Sequence, residues 1–176
     1  MHKIRCLCLA LLPALHAAPA AADLAQDRFV TLILQSREQL GEALDAATVD
    51  AVLGERRSAQ CSLSLEQGLE AKGWSGVVEA VAPQDGAYVL SVAFAEGALV
   101  ATSAPLAETG SAQSLVLADG SATGDVALLA PQDRVVFSGH FLPMEEGCLA
   151  QVPSDPPGDM IRSPRYLFVF TEVKKH

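Results

Sequence analysis

Asparagine is missing from this 176-residue chain, and several other residue types are scarce. Aromatic residues make up 5% and charged residues 19%, with 12 basic side chains set against 21 acidic ones. The missing asparagine, beside a preference for Arg over Lys, reads as codon bias rather than chemistry. A formal charge of −9 leaves no basic surplus to neutralise phosphates, which excludes nucleic acid as a partner. An apolar half excludes a disordered protein, and neither collagen-like nor heptad bias is present. The length suits one domain with enough chain to bury a core.

Motifs that carry chemistry are equally scarce. No Cys-x-x-Cys, His-x-x-His, Gly-x-Gly-x-x-Gly or Walker pattern occurs. Gly120–Gly124 has its Ser in the wrong place for a nucleophile elbow. Asp119–Asp125 lacks the alternating acids and closing Glu of a calcium loop. Neither a metal nor a cofactor is expected.

What is present starts at the N-terminus. His2, Lys3 and Arg5 form a basic n-region, Cys6–Leu15 an apolar h-region, and Ala18–Ala22 fits small-residue cleavage. The apolar run is shorter than the roughly 20 residues of a membrane span and carries Pro13 and His16. Residues 1–22 therefore read as a cleaved export signal, giving a periplasmic or secreted protein with no membrane span after cleavage. Cys61 and Cys148 then remain, and an oxidising compartment favours one structural disulfide between them. Such a bridge would close a loop of about ninety residues and stabilise the fold by roughly 4 to 5 kcal/mol on the chain-entropy model.

Residues 23–61 read as a short helical segment. Leu40, Leu44 and Ala47 share a face behind a Ser36–Gln39 capping pattern, and Thr48–Gly54 makes a further helix closed by Gly54. Phe29–Leu34 fits helix or strand. Residues 62–73 have no clear period and read as a connector. From Trp74 the period changes to two: Trp74, Val78 and Ala80 alternate, then Tyr88, Leu90, Val92 and Phe94. Asp133–Phe141 is a strand with Val135, Phe137 and Phe141 inward and Arg134, Ser138 and His140 outward. Arg165–Val173 reads as a buried last strand. Ala-Pro-Gln-Asp at 82–85 and 130–133 reads as turn chemistry used twice. The expected fold is mainly β (α+β overall): a small barrel of five to six strands over 74–176, bent at Gly76 and Gly139.

The Trp74-x-Gly76-x-Val78 strand, the Gly86 turn, the long second strand and the later Asp133–Gly139 strand resemble OB-fold barrels. They are similar in particular to small exported bacterial OB-like proteins of unassigned activity, over about residues 74–173. The resemblance implies binding of a ligand or partner on one barrel face and transfers no binding residue.

Candidate catalytic residues are few. His140 is the only internal His left after cleavage, so a hydrolase would need it as base. Glu145 and Glu146 are an adjacent acidic pair beside Cys148, but neighbours on a loop point apart. Trp74, Tyr88 and Phe94 fall on the core face. The expected function is a non-catalytic exported binding module for an envelope protein, peptide or glycan. A small hydrolase using His140 or the Glu145–Glu146 loop is the alternative. A cell-wall hydrolase inhibitor presenting Met144–Glu146 is another.

Overall fold

The computed structural model describes residues 21–41, 45–66, 68–84, 87–95, 97–101, 126–143, 149–154 and 156–176. Helix α1 spans Ala21–Leu40. Phe29, Ile33, Ser36 and Leu40 recur at three- and four-residue intervals and are all buried, so the Phe29–Leu34 run is helical. Ser36 lies within this helix and donates its hydroxyl to the Ile33 carbonyl at 2.8 Å, instead of capping a new one. The chain turns at Gly41 (φ +51°), whose N–H closes on the Arg37 carbonyl at 3.0 Å.

Helix α2 spans Ala46–Glu66. Its cap is Asp45, whose carboxylate accepts the Thr48 N–H at 2.9 Å, and that bond holds the Asp45 carboxyl below its usual range. The helix neither closes at Gly54 nor stops at Cys61, but continues through half of the expected connector. Its buried stripe of Val49, Val52, Leu53, Arg56, Gln60, Leu63 and Ser64 keeps facing inward past both positions.

Among the described residues five strands follow: β1 Glu70–Gln84, β2 Ala87–Ala95, β3 Ala98–Ala101, β4 Arg134–Phe141 and β5 Arg165–Lys175. β1 pairs antiparallel with both β2 and β4, as do β2 with β3 and β4 with β5. A short parallel ladder joins β3 to β5, from Leu99 opposite Arg165 to Ala101 opposite Leu167. The sheet is curled, its neighbours running β1-β2-β3-β5-β4 with β4 back against β1. Among the described residues helix and strand contribute comparable lengths, a mixed fold rather than a mainly β one.

Two irregularities bend β1. The register slips between Ala71 and Trp74, at Gly73 (φ +66°), and again between Val78 and Ala80. The expected alternation through Trp74 and Val78 therefore ends before Ala80, which is exposed, and resumes at Val81, which packs on the core. Ala82–Gln84, expected to be a turn, completes β1. The second copy of that tetrapeptide does turn, with Asp133 N–H on the Ala130 carbonyl at 3.1 Å. On β5 a slip opposite Ser138 and Gly139 moves the inward phase from Tyr166, Phe168 and Phe170 to Val173.

All six Phe residues, Trp74 and Tyr166 are buried. Phe29 of α1 reaches among four strands, with ring centroids 5.4 Å from Trp74, 5.9 Å from Phe94, 5.2 Å from Phe141 and 5.3 Å from Tyr166. Gly139 lets β4 approach β5 closely: a Cβ there would overlap the Val169 carbonyl oxygen and the Phe168 ring. Among the described residues no helix is long and apolar enough to cross a membrane.

Candidate functional site

Register assembles an outward face from three strands. Val77 of β1 stands opposite Ala93 of β2 on one side and Arg134 of β4 on the other, so these three side chains share a face. Ser75 lies on that face two residues before Val77. The β1–β2 ladder begins only at Val77, which leaves Ser75 without a β2 partner. Gln26 of α1 fills the gap. Its Oε1 accepts the Ser75 N–H at 2.9 Å, and its Nε2 donates to the carbonyls of Ser75 at 2.7 Å and Phe94 at 3.3 Å. A side-chain amide stands where a strand's peptide group would have paired.

Around this point lies an open cleft of about 600 Å³. Small residues, among them Gly76, Val77, Ala93 and Ala95, line its floor, and Gln26, Arg134 and His176 stand around it. Gly76 is required there, because a Cβ would meet the Val92 side chain and lie 2.7 Å from the Ala93 carbonyl oxygen.

Arg134 is exposed and, among the described residues, has neither an ion-pair nor a side-chain hydrogen-bond partner. The adjacent carboxylate is engaged elsewhere. Asp133 takes Lys175 at 2.7 Å and accepts the Ala130 N–H at 2.9 Å, and these bonds, that to Lys175 foremost, hold its carboxyl below the usual range. The Arg134 carbonyl accepts the His176 N–H at 2.8 Å, which fixes His176 beside the cleft.

A second polar group is closed to solvent. The Arg56 guanidinium donates to the carbonyls of Met160 at 2.6 Å and Ile161 at 3.2 Å, to Gln151 Oε1 at 3.3 Å and to Ser36 Oγ at 3.5 Å. Every one of these acceptors is neutral, and burial pushes the Arg56 pKa down. Gln60 donates to the Tyr166 hydroxyl at 2.7 Å, and burial raises the pKa of that phenol. Arg56 Nε, Gln60 Oε1 and Gln151 Nε2 are buried without a hydrogen-bond partner among the described residues.

Among the described residues, those singled out from sequence do not converge. His140 is half exposed on β4, its Nδ1 3.9 Å from Oε1 of its cross-strand neighbour Glu70. Glu70 is also held by Lys72, which with His140 draws its carboxyl down. Ser138, the nearest outward hydroxyl on β4, accepts the Gly73 N–H at 3.0 Å. Among the described residues His140 has no hydrogen bond to a hydroxyl, and no cluster of three His, Cys, Asp or Glu could hold a metal ion. Glu145, Glu146, Cys148 and the Asp119–Asp125 loop lie outside the described residues; Cys61 is half-buried on α2. Trp74 and Phe94 are buried as expected, and Tyr88 packs against the core.

The cleft itself was missed by sequence reasoning. Arg134 was legible as an outward strand residue, but Gln26 comes from a helix 49 residues before Ser75 and carries no local signal. No family model matches the chain, and no curated protein and no solved structure matches it either.

Proposed function

We propose that this protein is an exported, non-catalytic binding module built on an OB-type barrel, with its ligand site in the cleft beside Gly76. The observation that carries the proposal is the open cleft with an apolar floor and a cationic rim group, Arg134, that no carboxylate among the described residues engages. The strand order supports the barrel type, since the OB fold is a five-stranded Greek-key barrel and here a β1-β2-β3 meander meets β5 in parallel. Export rests on the basic, apolar and small-residue succession of residues 1–22.

The Cys61–Cys148 bridge belongs to the same proposal. Leu149 shares the core cluster with Leu63, and Gln151 hydrogen-bonds Arg56, so the chain just after Cys148 runs along α2. A bridge there would tie that loop to the helix carrying Cys61.

The test is retention of envelope components by the oxidised protein, followed by mass spectrometry, alongside Ala93→Leu and Cys61→Ser/Cys148→Ser variants. A partner lost on Ala93→Leu supports the cleft. Equal retention by that variant overturns it. His140 faces Glu70, so hydrolysis of generic ester, peptide or glycan substrates that His140→Ala abolishes would replace the binding module with a hydrolase.

A further inference from the structure

We infer that the cleft beside Gly76 takes the C-terminal end of a peptide, a main-chain carboxylate on a small apolar residue. This rests on the reading of the cleft as the binding site. Arg134 offers a planar fork of donors suited to a carboxylate, and its sequence neighbour Asp133 is already held by Lys175 and the Ala130 N–H. One guanidinium in a chain of charge −9 suits a single negative charge better than a phosphate, which gathers several donors.

The rest of the ligand follows from the floor and the opposite rim. The small side chains of Val77, Ala93 and Ala95 leave space for a small apolar side chain and offer it no polar group beyond backbone. Gln26 Oε1 accepts one hydrogen bond, from Ser75, and its second lone pair is free for a ligand N–H. The Ser75 side chain lies exposed next to it. A terminal residue presents an N–H, a small side chain and a carboxylate in that order across a short distance. A free fatty or short-chain acid lacks the N–H.

The probes are N-acetyl-trialanine with a free C-terminus, its C-terminal amide, and butyrate, titrated into the full chain and followed by amide NMR shifts. The free acid is expected to move resonances at Ser75–Val77, Ala93–Ala95 and Arg134. The amide should bind roughly 10- to 100-fold more weakly, as for loss of a charged hydrogen bond. Arg134→Gln should remove the difference between acid and amide, and Ala93→Leu should weaken both while circular dichroism stays unchanged.

Equal binding of acid and amide, butyrate binding as tightly as the tripeptide, or no response to the acid would each overturn the inference. An envelope partner lost on Ala93→Leu without any response to the free acid would sink the carboxylate and leave the cleft standing. Retention unaffected by Ala93→Leu would sink the cleft itself.

Discussion

Two regions of the interior differ in what holds them together. Inside the curled sheet, Phe137 meets Trp74, Phe168 and Phe170 with ring centroids 5.7 to 6.3 Å apart, and the surrounding side chains are hydrocarbon. Along α2 the buried stripe includes Arg56, Gln60 and Ser64, one per turn, with Arg56 bonded to Ser36 and Gln151 and Gln60 to Tyr166. The sheet interior draws on non-directional burial, whereas the α2 seam depends on donors meeting particular acceptors. Apolar packing tolerates small shifts of an element. A guanidinium holding two carbonyls does not, so the seam fixes where the Asp159–Arg162 turn sits against the helices.

The largest expected effect comes from breaking the apolar side. Phe137→Ala should cost about 3 to 5 kcal/mol in denaturant unfolding, because a ring with three aromatic neighbours leaves a cavity that a sheet cannot collapse around. A loss below about 1 kcal/mol would mean that the cluster is looser than its geometry.

Arg56→Met is the corresponding cut on the polar side. It relieves the burial of a charge but strands the Met160 and Ile161 carbonyls, so about 2 kcal/mol of net loss is expected. Hydrogen exchange should quicken locally in Met160–Ser163. Unchanged exchange there would reduce the seam to ordinary packing. The smallest effect sharpens the contrast from outside. Gly54 is exposed in mid-helix, and a Cβ added there would have no neighbour within 4 Å, so Gly54→Ala should stabilise by about 0.5 to 1 kcal/mol. A destabilised Gly54→Ala protein would argue against a continuous α2.

The same contrast explains what could be read from sequence. In β4 the alternation of Val135, Phe137 and Phe141 against Arg134, Ser138 and His140 carried through to the structure, because aromatic and branched residues mark one face of a pleated strand. α2 was cut short at Gly54 and Cys61 because three of its inward residues are polar, which flattens the apolar period on which a helix is recognised. In β1 the alternation was right as far as Val78 and then lost its phase at a bulge, which no residue type announces. For the candidate site, Arg134 was placed on the correct face. Its meaning depends on Gln26 and on Asp133 being occupied, and both are tertiary facts.

Trp74 gives the molecule a built-in optical reporter. It is the single tryptophan, 1% exposed, with no hydrogen-bond partner for its indole nitrogen among the described residues. Its ring touches Phe29 of α1 as well as Phe94, Phe137 and Phe141 of the sheet. One emission spectrum therefore answers for the sheet interior and the seating of α1 at once. A dry, unbonded indole emits toward the blue only while α1 stays seated, and the colour shifts red as soon as water reaches the junction.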